Sequence, residues 1–166
     1  TINGKIGSAQ TFDGINDNID CGSDSSLDMT NQITMETWCQ WDSITDSWGY
    51  LICKGTYRPW SLIIGGSSRT DKVGVYFSTA DRTGSLYAPS PITDNDWHYL
   101  TATYNGNDIK IYIDGDHEVT GTVFGGTINE NIGYPVYLGD RYDHARTFEG
   151  LMDETRISNV ERSASW

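Results

Sequence analysis

Two kinds of side chain in this 166-residue chain are grouped in ways that could carry chemistry. Asp13, Asn16, Asp17 and Asp20 cluster near the start, and Asp153-Glu154 sit together near the end. Calcium takes about six to eight oxygen ligands from carboxylates, amides, backbone carbonyls and water, and these stretches supply hard oxygens. The spacing is not that of an EF-hand loop, and the same residues equally serve to cap turns. The second group is aromatic. Six Trp, ten Tyr and four Phe make up 12% of the chain, and Trp48, Tyr57, Trp60, Tyr87, Tyr134 and Tyr142 fall in turn-rich stretches. Sugar rings offer flat C–H faces that stack on aromatic rings, while their hydroxyls need charged or amide partners. Asp140, Arg141, Tyr142, Asp143 and His144 supply both kinds of group in one run, and so do Tyr57, Arg58 and Trp60. Burial in a core is the competing fate of any such aromatic.

Nucleophilic and metal-dependent hydrolysis lack their usual patterns. No Gly-x-Ser-x-Gly elbow is present, and His98, His117 and His144 fit no His-Glu-x-x-His arrangement. Cys21, Cys39 and Cys53 have no zinc or redox spacing; they read as small core residues, with one disulfide and one free thiol as the alternative. The formal net charge of −12 and pI near 4.4 exclude a phosphate backbone as the natural partner. No apolar run is long enough to span a membrane, and no secretory signal stands at the start.

The elements that must position these groups are strands. In 97–115, Ile109, Ile111 and Ile113 alternate with Lys110, Tyr112 and Asp114, which is the period of an extended chain. Trp97 to Tyr104 alternates in the same way. Asn105-Gly106-Asn107 between the runs predicts a tight hairpin with Asn105 and Gly106 at positive φ, and Asp114-Gly115 turns the chain again. Residues 32–42 predict a long strand with Ile33, Met35, Thr37, Cys39 and Trp41 on its core side. Thr34, Glu36, Trp38 and Gln40 take the other side, with Trp38 there as a candidate sugar platform. Shorter strands are predicted at 9–13, 50–53, 60–64, 73–77, 84–88, 119–123, 136–138 and 148–157, with 22–31, 43–49 and 139–146 as loops. Phe12 is the expected core anchor of the first, with Leu27 and Met29 tucked inward. Period two sends Asp153 and Glu154 to opposite faces and leaves Glu154 and Arg156 to pair on one. With no linker or repeat, the expectation is one domain over 1–166.

Three motifs carry a resemblance: AQTFDGINDNIDCG at 9–22, the Trp97-His98 pair running to Tyr112-Ile-Asp-Gly115, and FEGLMDETRISNVERSASW at 148–166. In this order they are similar to the laminin G-like, pentraxin-like and concanavalin A-like domains. The resemblance implies an all-β, two-sheet antiparallel β-sandwich of jelly-roll type with roughly a dozen strands. It implies a non-catalytic extracellular or cell-surface binding module, with carbohydrate as the ligand class, excised from or part of a larger multidomain protein. An adhesive module that binds a cell-surface protein is the alternative. A glycosidase is the weaker one, because the Glu-x-Asp-x-x-Glu signature of jelly-roll glucanases is absent and no long strand carries paired acids. The resemblance further implies a structural calcium ion held by Asp153 and the Asp13–Asp17 turn, and structural roles for Trp38, as against the sugar platform, and for His98. The ligand residues expected are Tyr57, Trp60, Asp140, Arg141, Tyr142 and His144.

Overall fold

The computed structural model describes residues 2–42, 48–55, 59–65, 70–122, 124–129 and 133–163. Twelve strands run through the described residues. They are β1 (Gln10–Asp13), β2 (Ile19–Asp20), β3 (Ile33–Gln40), β4 (Trp48–Lys54), β5 (Trp60–Gly65) and β6 (Val73–Ser78). They continue with β7 (Thr83–Tyr87), β8 (His98–Tyr104), β9 (Ile109–Ile113), β10 (Asp116–Gly121), β11 (Val136–Leu138) and β12 (Glu149–Ser158). The one helical turn among them is a 3₁₀ turn at Ser25–Leu27, capped by the Asp24 carboxylate on Ser26 N–H. Among the described residues no helix is long and apolar enough to cross a membrane.

The strands form two six-stranded antiparallel sheets, β1-β12-β3-β8-β9-β10 and β2-β11-β4-β5-β6-β7. Alternation decides what lies between them. Ile33, Met35 and Cys39 of β3, Leu100 and Ala102 of β8, and Ile109 and Ile111 of β9 pack against Leu62 and Ile64 of β5 and Val73, Val75 and Phe77 of β6. Phe12 closes one end of this core against Phe148, and Leu27 and Met29 pack on it from their loop. Cys39 and Cys53 are buried and in no disulfide, but Cys21 is exposed, so the expectation that all three are core residues fails there. Trp48, expected in a loop, opens β4.

The turns differ from expectation in an informative way. Gly106 takes φ +96°, but Asn105 is not left-handed; its Oδ1 accepts the N–H groups of Asn107 and Asp108 instead. The turn with two positive-φ residues is Asp114-Gly115, at +54° and +88°, between β9 and β10. There the twist of the paired strands favours a mirror-image turn.

The last strand is also irregular. Asp153 pairs with Trp38 and Arg156 with Glu36, so one extra residue enters β12. Glu154, at φ +48°, lies in this bulge. The bulge puts Asp153 and Arg156 on the same outer face and overturns the period-two reading. Arg156 meets Glu36 at 3.2 Å rather than pairing with Glu154.

Candidate functional site

The outer face of each sheet carries a cluster of polar and aromatic side chains. On the second sheet the loop after β11 folds back over the strands. Asp140 is fully buried; its Oδ1 accepts the Arg141 N–H at 2.6 Å and its Oδ2 meets His144 Nδ1 at 2.6 Å. His144 sits at φ +55° with its ring edge-on to Tyr137. Arg141 forks onto Asp143 through Nε and Nη2, and its guanidinium lies 6.0 Å from the Tyr50 ring and 5.7 Å from the Tyr142 ring. This guanidinium holds the Asp143 carboxyl below its ordinary range. Four residues expected from the sequence, Asp140, Arg141, Tyr142 and His144, are therefore brought together, with Tyr50 and Tyr137 of the sheet behind them. Tyr50 and Tyr137 escaped the sequence reading because they sit on strands, where an aromatic reads as core.

The other two expected ligand residues separate from this group. Trp60 is not a platform: it opens β5 opposite Phe77 and is completely buried in the core. Tyr57 lies outside the described residues, with Arg58.

The expected metal ligands divide as well. Asp13 Oδ1 accepts N–H groups from Ile15, Asn16 and Asp17, and Asp17 Oδ2 accepts that of Asp13. Those amides, Ile15 first, hold the Asp13 carboxyl below its usual pKa. Asp13 stands opposite Glu149 in the β1–β12 ladder, whereas Asp153 lies four residues further along, beyond the Gln10–Met152 pair. At about 3.3 Å per residue that offset is too long for one ion to bridge. Asp153 instead accepts Ile6 N–H at 2.7 Å and Glu154 N–H at 2.9 Å. Among the described residues no three His, Cys, Asp or Glu side chains are grouped to hold a metal ion. Asp13, Asp17 and Asp153 as placed do not fit a single calcium site.

The first sheet carries a cleft that the sequence did not single out. Ladder pairing lines up Arg156, Glu36, Thr101 and Tyr112 across β12, β3, β8 and β9 on the outer face. To one side, Ile6 bonds Asp153 and Lys5 Nζ sits 4.3 Å over the Trp38 ring, which itself packs on Tyr99. To the other, the segment after β12 crosses the strands: Thr34 Oγ1 donates to Val160 O and accepts Arg162 N–H, and Glu161 reaches Lys110 at 2.8 Å. Beside the segment after β12 lies a cleft lined by Glu36, Tyr99, Thr101, Tyr112, Gly115, Arg162 and Ser163. Glu36 is 2% exposed at its floor. Burial, with the charge and hydrogen bond of Glu36, pushes the Tyr99 phenol up to about 12, so it stays protonated as a donor.

Beside the cleft, His98 is held between two carboxylates, Nδ1 to Asp114 and Nε2 to Asp94, both at 2.7 Å. Asp114 also accepts the Tyr99 N–H, which pins the β9–β10 turn to β8. His98 is thus a structural brace.

A family model described as the concanavalin A-like lectin/glucanases superfamily matches residues 13–166. Among solved structures the chain is similar to domain 4 of AbnA, an extracellular arabinanase from Geobacillus stearothermophilus, in complex with arabinotriose. That match has 22% identity and TM-score 0.68 and covers 98% of this chain and 75% of that one. It is similar to domains of the mouse laminin alpha1 chain, with 15% identity, TM-score 0.73, and coverage of 100% and 46%. It is also similar to a heptameric SAP-like pentraxin from Limulus polyphemus, with 15% identity, TM-score 0.70, and coverage of 93% and 76%. No curated protein matches the chain.

Proposed function

The chain belongs to the concanavalin A-like lectin/glucanase superfamily, and on that premise we propose that it is a non-catalytic carbohydrate-binding module acting outside the cell or at its surface. The observation that carries this reading is the 140–144 loop. A sugar needs donors and acceptors fixed in advance beside an aromatic surface, because ordering them on binding costs affinity. Asp140 is buried to hold the backbone and His144, Asp143 holds Arg141, and Tyr142 and Tyr50 flank the guanidinium. The loop thus offers fixed N–H donors with a carboxylate and a ring within reach. The AbnA domain, whose structure holds an arabinose oligosaccharide, supports a glycan as the ligand class. Binding is favoured over hydrolysis because, among the described residues, the cleft on the opposite sheet is lined by one carboxylate, Glu36, where glycoside hydrolysis uses two.

Calcium, implied by the resemblance, would have to rest on Asp13, Asp17 and the carbonyls of their own turn, without Asp153. The glycan reading is tested by titrating a neutral and acidic glycan panel onto wild type, Tyr142→Ala and Arg141→Gln, with melting temperatures measured alongside. We expect wild type to bind members of the panel and each variant to bind them about tenfold or more weakly at little cost in stability. Absence of glycan binding by wild type, or unchanged binding by both variants, refutes the proposal for this loop.

A further inference from the structure

The cleft on the first sheet has a composition at odds with the rest of the molecule. The chain carries 11 Lys and Arg against 23 Asp and Glu. Yet among the described residues this cleft combines a single carboxylate, Glu36, with two guanidinium groups, Arg162 in its lining and Arg156 paired to Glu36. The two arginines reach it by different routes. Arg156 is turned onto this face only by the extra residue in β12, and Arg162 arrives on the segment that crosses back after that strand.

Arg156 is also presented in a particular way. One nitrogen, Nη1, is anchored by the buried Glu36, while the side chain is 52% exposed. A guanidinium has five N–H donors in a flat fork, so one anchored edge leaves others for a ligand and fixes their plane. Tyr99 lines the cleft beside Glu36 and, half-buried, offers ring surface near that fork, whereas Tyr112 is buried on the far side of Thr101. The Tyr99 hydroxyl is held by Glu36 and Thr101, which fixes the ring in place.

We propose that the mouth of this cleft is a second glycan site, on the face opposite the 140–144 loop, and that it selects sugars bearing a carboxylate, which Arg156 at its rim receives through its fork while the pyranose ring lies on Tyr99. A planar carboxylate matches a guanidinium bidentately, as a neutral hydroxymethyl group cannot. Glu36 acts as a positioning residue: it fixes the guanidinium plane and, neutralised by Arg156, does not repel the ligand. This inference rests on the reading of the chain as a glycan-binding module.

The test uses an array of uronate- and sialate-bearing glycans, the methyl esters of the same glycans, and sulfated analogues. Esterification removes the charge and keeps the ring. Wild type is expected to bind at least one carboxylated glycan about tenfold or more tightly than its ester, and Arg156→Gln is expected to abolish that difference. Removing Arg156 takes the counter-charge from the buried Glu36 and could unfold the chain, so Arg156→Lys is measured too. It keeps the charge and loses the fork, and it should lower the preference severalfold with the fold intact. Esters bound as tightly as acids, sulfated analogues bound better than carboxylated ones, or a preference unchanged in a folded Arg156→Lys protein each overturn the proposal. Binding lost in Arg141→Gln but unchanged in Arg156→Lys overturns it while leaving the loop site standing. Failure of every glycan to bind wild type removes both.

Discussion

His98 shows how one side chain couples pH to the stability of this sandwich. Partial desolvation pushes its pKa down, but hydrogen bonds and charges from Asp94 and Asp114 more than offset this, and the folded value stands above the ordinary one. A raised folded value means the contribution is complete below the unfolded pKa, about 6.5, and is lost as pH rises through the folded one. Asp94 works in the opposite sense: His98 first, then the Asp96 N–H, lowers its pKa, so its contribution disappears as the solution is acidified below the unfolded carboxylate range. Melts from about pH 5 to about pH 9 should fall through neutrality in wild type and be flatter in His98→Gln. Equal slopes would show that the brace is not charged. Trp60 gives a second residue-scale test. Completely buried opposite Phe77, it should lose about 3–5 kcal/mol on truncation to alanine, with no specific effect on glycan affinity. A Trp60→Ala protein that melts like wild type but binds sugar poorly would restore the platform reading. The correct reading was already in the sequence. Trp60, Leu62 and Ile64 alternate, and that pattern outweighs the Tyr-Arg-Pro sequence that precedes them. The clustering of Asp140, Arg141, Tyr142 and His144 was legible because five consecutive loop residues have little choice but to meet. The Glu36–Arg156 pair was not, since 120 residues separate its members.

At the scale of strands, most of the architecture followed from period two and turn chemistry, and the departures occur where the chain breaks period. The β12 bulge changes which side chain reaches Glu36, and no local residue preference announces an inserted residue of this kind. The hairpins show the same limit. Asn-Gly is the stronger turn signal, yet the turn with two left-handed residues is Asp114-Gly115, because β9 and β10 need a two-residue connection while β8 and β9 are joined by a longer one. A Cβ at Gly115 would meet no atom within 4 Å, so substitution there probes backbone strain alone. Gly115→Val should cost about 2 kcal/mol, whereas Asn105→Ala should cost about 1 kcal/mol through the two N–H groups its side chain accepts. Chemical denaturation of both variants decides this. A neutral Gly115→Val would mean that the turn relaxes to another type.

Across the whole molecule, both ends of the described chain lie on the outer face of one sheet, and the two segments are held there by different means. The segment after β12 is fastened by Thr34 and by the Lys110–Glu161 pair, and the first residues by Asp153 and the Lys5–Trp38 stack. The sequence resemblance joins Asp153 to the Asp13–Asp17 turn through calcium. The register of β1 on β12 instead makes Asp153 a direct tie between β12 and the first residues. Its carboxylate accepts the Ile6 and Glu154 N–H groups, and its Oδ2 lies 2.5 Å from where a Cβ on Gly4 would stand. Two hydrogen bonds to a largely buried carboxylate are worth about 2–3 kcal/mol together once the orphaned amides are included. The two accounts diverge under chelation. A shared ion would stabilise only the folded state, by about 2.7 kcal/mol at a hundredfold excess over Kd, and Asp153→Ala would then lower the melting temperature in calcium and change little in EDTA. A direct tie predicts the same drop in both solutions. We expect the equal drop, with any calcium dependence of the melt surviving in Asp153→Ala and disappearing in Asp13→Ala. A drop confined to calcium-containing buffer would return Asp153 to the metal and require the two chain segments to approach more closely than the ladder from Gln10–Met152 to Asp13–Glu149 allows.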